Sequence, residues 1–124
     1  MLLVNPKSKQ PLYEQLVEQL RRQLYLGVAQ AGQAMPSVRQ LATELGINPN
    51  TIQKAYRRME AEGMIISVPG KGSFISDNLA GMLKKQRDEQ LEKTRQQIKT
   101  CREMGLEQGT IEKLIDEVYK EGDL

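Results

Sequence analysis

The chain has 124 residues, 39% hydrophobic and 27% charged, with a formal charge of +2, one cysteine and no histidine. That length and balance suit one globular domain with an extension rather than two full domains. A lone cysteine cannot close an internal disulfide, and without histidine neither the usual zinc ligand sets nor a histidine-activated nucleophile can be assembled, so the chain is read as no enzyme and as needing no metal or cofactor.

Residues 1–6 are too short, and lack the basic flank, for a secretion signal. No later run reaches the roughly 18 apolar residues of a membrane span, so the chain is expected in the cytoplasm with no membrane partner. After Pro11, the residues Leu12, Leu16, Val17, Leu20 and Leu24 recur at helical spacing among Glu14, Glu18, Arg21 and Arg22, which predicts a first helix over 11–27 ending at Gly27. The Ala/Gly/Gln stretch from Val28 to Ala34 is expected to be a flexible connection. Pro36 then blocks any earlier helix and Ser37 is placed to cap a short second one whose apolar stripe is Val38, Leu41, Ala42 and Leu45.

Gly46 suits the left-handed residue after a helix, and Asn48 as N-cap with Pro49 in the first turn starts another helix at once. Two helices joined by three or four residues across a glycine form the helix-turn-helix signature. The third helix is expected to run to about Glu62, burying Ile52, Ala55, Tyr56 and Met59 and exposing Asn50, Thr51, Gln53, Lys54, Arg57 and Arg58. Two β-prone runs, Met64 to Val68 and Ser73 to Ser76, flank Pro69-Gly70-Lys71-Gly72, a sequence suited to a type II turn. A hairpin directly after a helix-turn-helix reads as a wing.

Beyond Asn78 a long polar helix is expected to Met104, stopped by Gly105, carrying Leu79, Met82, Leu83, Leu91, Ile98, Cys101 and Met104 far apart. A last helix carries Ile111, Leu114, Ile115, Val118 and Tyr119 at i, i+3, i+4, i+7 and i+8. Such a pair cannot form a core alone, and its simplest partner is the same pair from a second subunit. Leu91, Ile98, Cys101, Ile111, Leu114, Ile115, Val118 and Tyr119 are therefore the expected dimerisation residues, with Cys101 read as a packed core or interface thiol in preference to a redox switch. The fold expected is mainly α with a small β-hairpin wing: a winged helix-turn-helix over 1–76 and a two-helix dimerisation extension over 77–124.

Charge divides along the same line. Residues 1–76 hold nine Lys/Arg against five Glu, net +4, whereas residues 77–124 hold nine against eleven acids, net −2. A basic front joined to an acidic back fits an anion-binding module attached to a part that should avoid the anion, and nucleic acid is the leading partner. In a recognition helix, Asn50 and Gln53 offer the paired amide donor and acceptor that suit adenine, Thr51 offers a hydroxyl or methyl, and Lys54, Arg57 and Arg58 reach phosphate or guanine. Arg58 fits a solvated helix face equally well. Ser37 and Arg39 stand where a helix N-terminus can hold phosphate, although Ser37 also suits a cap. At the wing, Gly70, Lys71 and Gly72 allow close approach to the sugar-phosphate edge, although a tight turn alone would require the glycines.

Pro11-Leu12-Tyr13-Glu14-Gln15-Leu16, Met35-Pro36-Ser37-Val38-Arg39-Gln40-Leu41-Ala42, Leu45 through Tyr56, and Glu62-Gly63-Met64-Ile65 with Gly70-Lys71-Gly72-Ser73-Phe74 together resemble the GntR family of bacterial regulators. The resemblance implies operator contacts by the residues matching Arg39, the first turn of the recognition helix including Asn48, and the wing-tip Gly70. Many relatives carry an arginine where this chain has Pro49, so that contact does not carry over and Asn50, Gln53 and Lys54 take more of the readout. The Asn-Pro-Asn-Thr form and the short two-helix tail are similar to the YtrA subfamily, which implies a link to an ABC-transporter operon. Taken with the expected dimer, the four-block match and the charge division, the function expected is repression by a homodimer on a pseudo-palindromic operator. The 48 residues after 76 are too few to enclose the ligand cavity of larger relatives, and no motif marks an effector. Two other readings stay open at this level: a nonspecific nucleic-acid-binding or architectural protein, and a winged helix that binds protein instead of DNA.

Overall fold

The computed structural model describes residues 2–122. Met1, part of the stretch read for a secretion signal, and Asp123 and Leu124, at the end of the expected tail, lie outside them. The elements are α1 (Leu12–Tyr25), α2 (Val38–Leu45), α3 (Pro49–Ala61), β1 (Ile65–Val68), β2 (Gly72–Ile75), α4 (Leu79–Glu103) and α5 (Gln108–Lys120). They form two compact units, residues 1–84 and 85–124.

The first unit is a three-helix core closed by a hairpin. α3 packs against α1, α2 and β1, and its inward stripe of Ile52, Ala55, Tyr56 and Met59 meets Leu16, Val17, Leu20 and Leu24 of α1 and Leu41 and Ala42 of α2 in one buried cluster. This is the helical periodicity of the sequence turned into packing, with apolar residues three and four apart on one side. Gly46 closes α2 in the left-handed conformation, φ 67°, and Ile47 N–H donates to the Ala42 carbonyl at 3.1 Å. A side chain at Gly46 would strain this turn, because L-residues rarely adopt that backbone.

β1 and β2 pair antiparallel with Ile65 opposite Ile75 and Val68 opposite Gly72. Both isoleucines are buried against the helices. At the tip, Lys71 N–H donates to the Val68 carbonyl at 2.9 Å and Gly70 takes φ 74°, as the second central residue of a type II turn must.

Two expectations need correction. The Val28–Ala34 stretch is no loose connection: Met35 N–H donates to Ser73 O at 2.9 Å, Ile75 N–H to Gln33 O at 2.8 Å and Gly32 N–H to Ile75 O at 2.9 Å, with an antiparallel bridge from Ala34 to Phe74. The free edge of β2 had unpaired backbone groups to satisfy, and Ala29 and Met35, both buried, anchor the segment that satisfies them. Likewise Leu79, Met82 and Leu83 do not belong with an exposed tail. Leu79 and Leu83 are buried in the first unit's core and Met82 packs on it, so the compact unit runs through Lys84 and not only to 76.

The N-terminal residues are also held. Leu2 is buried. The Gln15 side chain accepts from Asn5 N–H at 2.7 Å and donates to Asn5 O at 3.1 Å and Gln10 O at 2.9 Å, while Gln19 exchanges hydrogen bonds with both backbone groups of Leu3. One turn apart on α1, the two amides act as a substitute strand for the segment before it.

Candidate nucleic-acid interface

α3 presents two unlike faces. Opposite the buried stripe, Asn50, Gln53, Lys54 and Arg57 are exposed at i, i+3, i+4 and i+7, with Thr51 half-buried beside them and Arg58 exposed next in line. The start of the helix is built for accuracy. Asn48 Oδ1 accepts from Asn50 N–H at 2.8 Å and Pro49 occupies the first turn, where its missing N–H costs nothing. The Asn48 carbonyl oxygen is thereby committed to the cap, leaving its NH₂ as the group free in chemistry to meet an anion. Ser37 caps α2 in the same way, its Oγ accepting from Gln40 N–H at 3.0 Å. Arg39, the second residue of α2, is exposed.

Three contacts hold this face in place, and none was legible in advance. Tyr56 donates its hydroxyl to Pro36 O at 2.6 Å, joining the middle of α3 to the entry of α2. Burial, helped by the negative Glu44, pushes its pKa up to about 12, so it remains a donor at neutral pH. Lys54 Nζ lies 4.1 Å from the centroid of the Tyr13 ring at the start of α1, a cation–π distance that restrains a flexible side chain. The Tyr13 hydroxyl donates to Glu14 at 3.1 Å, which with partial desolvation holds its own proton on. A buried tyrosine calls for a hydroxyl partner, so Tyr56 carried a signal of a bond though not of its acceptor.

Glu62, just past α3, is the third. It pairs with Arg21 of α1 and, at 2.9 Å, with Arg58 Nε. Burial would raise its carboxyl pKa, but the hydrogen bonds and charges of the two arginines outweigh it and hold the group below its ordinary value. A depressed folded-state pKa stabilises above the unfolded value and ceases to do so as pH falls through the folded one. Glu62→Gln should therefore cost about 0.5–1 kcal/mol at pH 7, with the gap from the parent closing in urea melts near pH 3. An unchanged gap at both pH values would show that the bridge does not carry the effect.

At the wing, Gly70, Lys71 and Gly72 are all exposed. Gly72 has φ 111° and Gly70 φ 74°, with nothing within 4 Å of where a Cβ would stand at either. Backbone conformation, not crowding, requires the two glycines. Of the expected interface residues, α2 thus contributes Ser37 and Arg39, α3 with its cap Asn48, Asn50, Thr51, Gln53, Lys54 and Arg57, and the hairpin tip the remaining three.

The tail residues have a different setting. Leu91, Ile98, Leu114, Ile115, Val118 and Tyr119 are exposed, Cys101 and Ile111 are half-buried, and α5 buries none of its residues.

A three-helix core with a two-stranded wing, and a polar, cationic face on the second helix of its helix-turn-helix, define a winged helix-turn-helix of the bacterial transcription-regulator class. The chain belongs to the gntR family of bacterial regulatory proteins, whose model matches residues 12–75. It is similar to the HTH-type transcriptional repressor YtrA of Bacillus subtilis (strain 168), 42% identical over 78 residues, which are 63% of this chain and 60% of that protein. A crystal structure of a transcriptional regulator from Oenococcus oeni matches with TM-score 0.71 at 32% identity, covering 96% of this chain and 99% of that one. AraR(DBD), crystallised in complex with operator ORX1, matches with TM-score 0.52 at 28% identity over 60% of this chain and 93% of that one.

Proposed function

We propose that the chain is a sequence-specific DNA-binding repressor of transcription that acts in the cytoplasm as a homodimer on a pseudo-palindromic operator. The observation that carries this reading is the face of α3: amides at Asn50 and Gln53 and cations at Lys54 and Arg57, ordered on one side of a helix whose other side is wholly buried. A face made for phosphate alone would favour lysine and arginine at its first positions. Paired amides favour base edges.

In this reading α3 enters the major groove with Asn50, Gln53 and Lys54 at base edges. Ser37, Arg39, Asn48 and Arg57 hold phosphates around it, with Thr51 beside the first base step. Gly70, Lys71 and Gly72 bring the wing to the adjacent backbone. The exposed apolar residues of α4 and α5 join two copies, placing two recognition helices one helical turn of DNA, about 34 Å, or a multiple of it apart. The similarity to a YtrA repressor supports repression, and an ABC-transporter operon is the target that the subfamily resemblance implies. The mechanism is occlusion of the promoter, for which the protein needs no cofactor.

Selection of binding sites from random duplexes tests the proposal, with an inverted repeat expected. Retention of all sequences alike, with a steep salt slope, would point to an architectural protein. No affinity for any duplex at low salt would point to a protein-binding winged helix. On the selected site, Arg39→Ala should weaken binding by about 1–3 kcal/mol, read by fluorescence anisotropy. Unchanged affinity would remove Arg39 from the interface.

A further inference from the structure

Two cations border the polar face of α3 on the side of α1, and α1 meets them differently. Helical spacing places Lys54 and Arg58 one turn apart along that border, Lys54 beside Asn50 and Gln53 and Arg58 further from them. Arg58 goes to an acid: its Nε lies 2.9 Å from Glu62 Oε2, and the same carboxylate takes Arg21 of α1. Lys54 goes to a ring: its Nζ stands 4.1 Å from the centroid of Tyr13. Tyr13, Arg58, Glu62 and Arg21 line one pocket of about 260 Å³ where α1 meets α3, so both cations are held along one seam.

The two partners have opposite consequences for charge. A carboxylate shared by two guanidiniums offsets the charge of Arg58, whereas an aromatic face attracts the ammonium through its quadrupole and leaves the net charge in place. The ring covers one side of that ammonium, and lysine has three N–H donors, so others remain for an acceptor. Tyr13 is itself held. It packs against the buried core, and its hydroxyl donates to Glu14 Oε1 at 3.1 Å. A half-buried ring anchored at both ends is a fixed platform for a mobile cation. Without it Lys54, exposed on α3, would sweep through solvent, and ordering it on DNA would cost side-chain entropy.

We infer that Tyr13 is a positioning residue for base readout: its ring holds the Lys54 ammonium at the border of the polar face so that it meets the O6 and N7 acceptors of a guanine. This rests on the reading of α3 as the base-reading helix and names one of the bases it reads. A phosphate accepts a cation from many directions and gains little from such a restraint. A base edge offers its acceptors in one direction, and restraint before binding lowers the entropic cost of that contact. Tyr13 touches no base; it acts through Lys54.

Selection from random duplexes, followed by anisotropy titrations, tests the role on the full-length chain. The variants are Lys54→Met, Tyr13→Leu, Tyr13→Phe and the combination of Lys54→Met with Tyr13→Leu, each checked for folding by circular dichroism. Lys54→Met should lose the preference for guanine at one base pair of each half-site. Tyr13→Leu should weaken that same preference, and no other, about 2–5-fold, the range for an exposed cation–π contact. Tyr13→Phe keeps the ring and should behave as the parent. In the Lys54→Met chain, Tyr13→Leu should have no further effect, because the side chain it positions is gone. The inference is overturned if Lys54→Met costs no guanine preference, a result that needs no change at Tyr13. It is equally overturned if Tyr13→Leu leaves that preference intact or weakens all duplexes alike, as a phosphate contact would. An equal effect of Tyr13→Leu with and without Lys54, or a loss with Tyr13→Phe as large as with Tyr13→Leu, also overturns it. A parent chain that selects no sequence would sink the reading of α3 and this inference with it, whereas a selective parent matched by Tyr13→Leu would sink the positioning role alone.

Discussion

Ile52→Ala is expected to lower the stability of the folded chain by about 2–5 kcal/mol, the range for a fully buried aliphatic side chain cut back to a methyl. Ile52 has no exposed surface and stands on the inward side of α3, where that helix meets α1 and α2. It shares one buried cluster with Leu16, Val17, Leu20 and Leu24 of α1 and Leu41 and Ala42 of α2, so collapse around the gap is limited and the cost belongs in the upper part of the range. A domain of this size has about 5–15 kcal/mol in hand. Urea melts followed by circular dichroism should show the midpoint falling with little change of slope, and DNA binding should decline only as the folded fraction does. A loss below about 1 kcal/mol would mean that Ile52 is not packed as described.

The second large effect concerns recognition without folding. Asn50→Ala with Gln53→Ala should leave stability within about 0.5 kcal/mol, because both side chains are exposed. On the selected operator the double variant should lose about 2–6 kcal/mol, from about 1–3 kcal/mol for each paired amide contact with a base. The loss should be confined to the preferred sequence, so that affinity for unrelated duplexes barely changes and the specificity ratio collapses. Lys71→Ala supplies the contrast: a phosphate contact at the wing weakens all duplexes alike and lowers the salt slope by about 1. Equal weakening of specific and unrelated duplexes by the double amide variant would show that α3 is not the base-reading element.

Much of this fold was legible because its signals are local. A helix declares itself through apolar residues three and four apart, a cap through Ser37 or Asn48 at the right step, and a turn through Pro69-Gly70, and each of these was found where the spacing placed it. The face of α3 was legible for the same reason, since burial of Ile52, Ala55, Tyr56 and Met59 leaves no choice about which side Asn50 and Gln53 occupy. Pro49 was also readable, and it explains why the amides carry more of the expected readout than in relatives with an arginine there.

Contacts between distant segments left no such trace. Nothing in Ala-Gly-Gln-Ala announces an edge partner for β2; the segment pairs because Ser73 and Ile75 have backbone groups to satisfy and Ala29 and Met35 hold it alongside. Leu79 and Leu83 share one helix with Leu91 and Ile98, and periodicity alone cannot tell that the first pair is buried in the core and the second exposed. The same holds for Lys54 above Tyr13 and for Tyr56 bonded to Pro36, where residues 41 and 20 positions apart meet. Local spacing thus specified the helices, the caps, the wing and the polar face of α3, because each needs only neighbours a turn or two away. The edge of the sheet, the clamps that steady the recognition helix and the limit of the core came from packing, because their free energy depends on which remote groups are brought within reach.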